Sequence, residues 1–146
     1  MKMLIAATLG VTAFACCPAL GAEMSKQEYR DAKKRIDSEY YAERQKCGVG
    51  YGHAYELCLR RAHGMRDVAK AELEAKYKPS PRHYYDAAIA RAKSAYAIAG
   101  KECEDKRGED RKACKAEAKI AYDRARGEAR SELKVDRSQE ASKAAR

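Results

Sequence analysis

Four cysteines and three histidines are the residues whose types and spacing would do chemistry in this chain. Cys47 and Cys58 are separated by ten residues, and Cys103 and Cys114 repeat that spacing 56 positions later. Thiols so arranged have three uses: structural disulfides, thiol–disulfide exchange, or metal ligation with His53 and His63. Exchange catalysis favours C-x-x-C at a strand–helix junction, and neither pair has that spacing. A metal site from Cys47, His53, Cys58 and His63 matches no established zinc pattern. The repeat also places Glu109 and Lys119 where those histidines would recur. Structural disulfides are therefore the expected chemistry. The third histidine, His83, lies away from the cysteines. No G-x-S-x-G, no Ser/His/Asp spacing and no phosphate-cradling glycine loop stands out, so no enzyme activity, cofactor or metal is expected.

The elements that must position those thiols repeat with them. At the same offset Tyr29 maps onto Tyr85, Ala32 onto Ala88, Tyr40 onto Tyr96 and Ala62 onto Ala118. Tyr29, Ala32, Ile36, Tyr40 and Cys47 recur at helical spacing, as do Tyr85, Ala88, Ala92, Tyr96, Ala99 and Cys103. After the breaks at Gly48–Gly52 and Arg107–Asp110 the period resumes. It runs through Cys58, Ala62, Met65, Ala69, Leu73 and Tyr77, then through Cys114, Ala118, Ala121, Ala125 and Ala129. No strand-like alternation occurs. The prolines of Lys78-Pro79-Ser80-Pro81 should end the second helix. The expected fold is all-α: two tandem disulfide-stapled helical hairpins, four helices in all, packed as an elongated bundle. The hairpins span 26–78 and 82–134, and the tail 135–146 frays or is disordered. Gly108 is expected to cap the third helix and Asp110 to N-cap the fourth.

Within-repeat pairing, Cys47 with Cys58 and Cys103 with Cys114, places each staple across a hairpin corner. It would constrain the unfolded chain by roughly 3 kcal/mol per loop. The alternative is two long unbroken helices folded at the prolines, pairing Cys47 with Cys114 and Cys58 with Cys103. That layout resembles the twin-cysteine hairpins of mitochondrial intermembrane-space proteins. The three glycines between Cys47 and Cys58 favour the first pairing.

Residues 1–22 have the form of a secretory signal peptide: Lys2, an apolar run from Met3 to Ala15, and small residues at Gly21 and Ala22 for cleavage. Lipidation at Cys16 or Cys17 is disfavoured by the bulky Phe14. The localisation expected is periplasmic or secreted, where an even number of cysteines oxidises. Removing Lys2 changes the formal charge from +9 to +8, still strongly basic. Lys33-Lys34-Arg35, Arg60-Arg61 and Arg124, Arg126 and Arg130 contribute to this. For an exported chain the expected partners are anionic cell-envelope components or acidic proteins, not nucleic acid. No membrane-spanning segment follows the leader. The tyrosines at 29, 40, 85 and 96 are expected in the core, with hydroxyls at its edge.

Tyr29-Arg30-Asp31-Ala32, the stretch Ala71-Glu72-Leu73-Glu74-Ala75-Lys76-Tyr77-Lys78-Pro79-Ser80, and Ala116-Glu117-Ala118-Lys119 carry a resemblance. With the duplicated C-x10-C spacing, they resemble small hypothetical exported proteins of beta-proteobacteria. Some of those proteins bear a TolA-like label, which follows shared Ala/Lys/Glu composition. The resemblance implies an exported protein and supplies no catalytic residues; the Gly-rich first turn departs from its pattern. The function expected is a structural or binding role in the cell envelope. The alternatives are a periplasmic stress-protective chaperone or holdase and, more remotely, a metal or redox protein.

Overall fold

The computed structural model describes residues 23–145. The expected signal peptide and both leader cysteines lie outside the described residues. Among the described residues four α-helices follow one another: α1 Lys26–Lys46, α2 His53–Tyr77, α3 Pro81–Glu102 and α4 Gly108–Ala144. A single 3-10 turn, Cys103–Asp105, follows α3. No strand occurs among the described residues.

Local chemistry explains where the helices start. Ser25 opens α1 with a reciprocal cap: the Glu28 amide donates to Ser25 Oγ at 3.2 Å, and the Ser25 amide donates to the Glu28 carboxylate at 2.7 Å. That backbone hydrogen bond, with the Ser25 hydroxyl bond second, holds the Glu28 carboxyl below its usual pKa. Ser80 caps α3 through the His83 amide at 3.1 Å, and Pro81 takes the first helical position, where its missing N–H costs nothing. So the Lys78–Ser80 linker ends α2 at Tyr77, as the prolines require, and Pro81 itself begins the next helix.

Each helix packs against its neighbour in chain order: α1 on α2, α2 on α3, α3 on α4. The contact between α2 and α3 joins the two hairpins as closely as α3 and α4 are joined within the second. Among the described residues no extensive contact closes α1 onto α4. The result is an open row with two free edges, the outer faces of α1 and α4. Alanine makes this close packing workable. Among the described residues the buried positions are Gly64 and the apolar Ala32, Tyr40, Ala62, Leu73, Ala75, Ala87, Ala92, Cys103 and Ala129, and no polar or charged side chain joins them. At the tightest approach Gly64 of α2 faces Ser94 of α3; a Cβ at Gly64 would fall 2.1 Å from Ser94 Oγ.

Several expectations need correcting. The tail does not fray at 135: α4 continues to Ala144, so the second hairpin outruns its expected end at 134. Ala, Glu, Lys, Arg and Gln there are good helix formers, and extending a nucleated helix needs no buried face. Gly108 has the expected positive φ, 52°, but it opens α4 after an N-cap at Arg107 and does not cap α3. Asp110 lies inside the first turn of α4, where its charge complements the helix N-terminus. Tyr96, expected in the core, is 41% exposed, and Met65 and Ala121, both on the helical period, are exposed as well.

Candidate functional site

Both disulfides join cysteines of one repeat. Cys47 pairs with Cys58 at a Cα separation of 5.6 Å, and Cys103 with Cys114 at 5.7 Å. The crossed pairing is excluded. Sulfurs bonded to each other are not metal ligands, so the Cys47, His53, Cys58, His63 constellation does not assemble. His63 instead meets Tyr40, its Nε2 lying 3.3 Å from the tyrosine hydroxyl. Among the described residues no group of three or more His, Cys, Asp and Glu side chains is placed to hold a metal.

The two stapled corners lie side by side at one end of the row. His53, opening α2, places Nε2 3.0 Å from Asp105 Oδ2, out of line for a hydrogen bond, so the contact is ionic when the ring is protonated. Arg61 on α2 reaches Glu102 on α3 at 2.6 Å. Lys101, whose side chain is 11% exposed, pairs with Glu56 across the helices and with Glu104 beyond its own helix end. Hydrogen bonds to Glu104 and then Glu56 hold the Lys101 ammonium above its usual pKa, and the bond to Lys101 holds Glu104 below its own. Lys101 and Glu104 are each held further toward their charged forms, and the Lys101–Glu56 and Arg61–Glu102 pairs tie the second hairpin to the first.

Beside this network a groove runs along one face of α2, α3 and α4. One part, of about 440 Å³, lies between α2 and α3 and includes Arg60, His63, Asp67, Asp86, Lys93 and Ala97. A second part, of about 270 Å³, shares Arg60 and Ala97 and adds Tyr96, Lys101, Lys115 and Glu104, the last paired with Lys101. Its charges are unevenly answered. Asp67 is paired with Arg66 and Asp86 with Arg82, while Arg60, Lys93 and Lys115 form no ion pair among the described residues. All three are exposed. The groove therefore presents uncompensated positive charge beside an aromatic ring, an arrangement suited to anionic groups.

The chain matches no family model, no curated protein and no solved structure. The groove must therefore be read from its own residues. Of its cations only Arg60 belongs to a basic cluster visible in the sequence. Lys93 and Lys115 lie on two other helices, and only helix packing brings the three together. Their sequence signal is weak: each sits beside an alanine, Ala97 and Ala118 among them, that leaves room for a ligand.

Proposed function

We propose that this is an exported helical protein with a structural and binding role in the cell envelope, attaching to anionic phosphate headgroups along the α2–α3–α4 groove. The observation that carries the reading is the uncompensated triad Arg60, Lys93 and Lys115 in a groove whose carboxylates are already paired. Two disulfides are compatible with an oxidising compartment outside the cytoplasm. No helix among the described residues is long and apolar enough to cross a membrane, so attachment would be at the surface. The formal charge, +9 for the full sequence and +8 without the Lys2 of the leader, supports long-range attraction to an acidic leaflet.

The test is co-sedimentation with vesicles containing phosphatidylglycerol against vesicles of phosphatidylcholine alone. Binding is expected only to the first, weakening as salt shortens the Debye length. The triple variant Arg60→Glu, Lys93→Glu, Lys115→Glu should lose it. Equal binding to both vesicles, or binding that survives the triple variant, overturns the reading.

A further inference from the structure

The two free edges of the row are related by the repeat. A shift of 56 positions carries α1 onto α3 and α2 onto α4. The face that α2 turns to α3 therefore has its counterpart on the outside of α4, and the face that α3 turns to α2 has its counterpart on the outside of α1. Duplication alone would leave like residues at these positions, but it would not exchange charge and size between the two sides so that the match is kept. The two outer faces are complementary at four of the matched contacts.

Inside the chain, Arg91 of α3 pairs with Glu72 of α2 at 2.7 Å. Their counterparts are Arg35 on α1 and Glu128 on α4, the same two residue types, exposed and without an ion-pair partner among the described residues. Arg61 of α2 pairs with Glu102 of α3 at 2.6 Å. Their counterparts are Glu117 on α4 and Lys46 on α1, the latter paired with Glu43 of its own helix in the single chain; both charges are exchanged, so opposite signs still match. The steric match follows the same rule. Gly64 of α2 lies against Ser94 and Ile98 of α3. The counterparts are Ile120 on α4 and Ser38 and Ala42 on α1, so the large and small partners trade sides. Arg60 and Ala97 meet in the groove, and their counterparts are Ala116 and Tyr41, again large for small. Ile120 and Tyr41 are 61% and 58% exposed in the single chain.

We propose that copies of this chain associate head to tail, the outer face of α4 on one copy docking antiparallel against the outer face of α1 on the next, in the geometry of the internal α2–α3 contact. The contact is heterologous, so it extends the row of helices from copy to copy and does not stop at a symmetric dimer. It is weaker than its internal template. The Lys101–Glu56 pair has only Gln45 and Lys112 as its counterpart, and buried Ala87 has the charged Asp31. Association is therefore reversible, concentration-dependent and opposed by salt. The inference is independent of headgroup binding, and its variants leave Arg60, Lys93 and Lys115 unchanged.

The experiment is sedimentation velocity of the oxidised chain over a concentration series at low and high salt. The expected result is growth past the dimer at low salt. Arg35→Glu and Glu128→Arg should each weaken association by at least about tenfold, because each opposes like charges across the contact. The double variant carrying both exchanges should restore it. Both positions are exposed, and circular dichroism checks that the variants stay folded. Mixing Tyr41→Asp copies, lacking the α1 face, with Glu128→Arg copies, lacking the α4 face, should stop at dimers. A monomer at every concentration, a limiting dimer of the unaltered chain, or single reversals that the double exchange does not rescue would overturn the proposal.

Discussion

The corner closed by Cys47–Cys58 and the corner closed by Cys103–Cys114 have the same sequence separation, 11, and are held by different means. The first turns on glycines in the left-handed region, Gly48 at φ 72° and Gly52 at φ 100°. Its tip residues Val49 and Tyr51 stand fully in solvent. The second winds through the 3-10 turn Cys103–Asp105, and Arg111 donates to the carbonyls of Lys106, at 3.0 Å, and Glu104. Cys103 is the one fully buried side chain there, at 0% exposure. The interiors differ in the opposite sense. Tyr40 of the first hairpin is 9% exposed, against His63 and beneath the Arg66 guanidinium at 4.5 Å. Its counterpart Tyr96 is 41% exposed and stacks on Tyr122, which stands where the first repeat has Arg66. A shared covalent staple fixes the corner-to-corner distance. Order within the turn and burial beneath it come from the neighbours, and the two copies have divided those differently.

The largest effect should come from the staples. Loop-closure entropy alone makes them equal, at about 3 kcal/mol each. Burial breaks the tie, since Cys103→Ser would place a hydroxyl where nothing is exposed, at a further cost of about 1–3 kcal/mol. Urea unfolding should therefore show the Cys103→Ser/Cys114→Ser protein well below the Cys47→Ser/Cys58→Ser protein in midpoint. Coincident midpoints would mean the two corners are energetically equivalent despite their structures.

The interiors should rank the other way. Tyr40→Ala removes a buried ring and should cost about 3 kcal/mol, while Tyr96→Ala removes a half-exposed one and should cost about 1 kcal/mol. The same unfolding assay reads both. A larger loss at Tyr96 would mean that the Tyr96–Tyr122 stack carries more of the second hairpin than its exposure implies.

Most of the architecture was legible because the signals were local: helical spacing of Tyr and Ala, prolines at the linker, and the cysteine spacing tied to glycine-containing corners. The disulfide pairing followed from the corners, since Gly48, Gly50 and Gly52 would not sustain one long helix. What was not legible depended on other helices. Nothing in the sequence around Lys93 or Lys115 says that each faces Arg60. Asp110 has the residue type of an N-cap, yet Arg107, three residues earlier, takes that place. The tail was misjudged for a different reason. The loss of apolar rhythm after Ser131 signals the end of packing, not the end of the helix, and Ser138 and Ser142 satisfy their hydroxyls on preceding carbonyls of the same helix.

A smaller difference separates α2 from α4. Gly127 of α4 stands where α2 has Ala71, and a Cβ at Gly127 would meet nothing within 4 Å. Gly127→Ala should stabilise the protein by roughly 0.5–1 kcal/mol through helix propensity. Gly64→Ala should gain less or lose, because its Cβ would come within 3.2 Å of Ser94 Cβ and spread α2 from α3. Thermal midpoints of the two variants, compared with the unaltered chain, measure the tightness of the α2–α3 contact directly.

The finest contrast is a proton. Tyr29 stacks on Tyr77 with ring centroids 4.1 Å apart and donates its hydroxyl to Glu74. The hydrogen bond to Glu74, then burial, push the Tyr29 pKa up to about 12. In the second repeat the position of Glu74 is held by Arg130, so this acceptor belongs to the first hairpin alone. A raised folded-state pKa means that the native state holds the proton more tightly than the unfolded chain, whose tyrosines titrate near ~10. The contribution is therefore complete below about pH 10 and is lost as pH rises through about 12. Unfolding measured between those limits should show stability falling with pH. Tyr29→Phe removes the proton, and Glu74→Gln removes the carboxylate that retains it, so each should flatten the slope. A slope unchanged in both would place the alkaline sensitivity elsewhere in the row and leave the Tyr29–Glu74 bond without energetic weight.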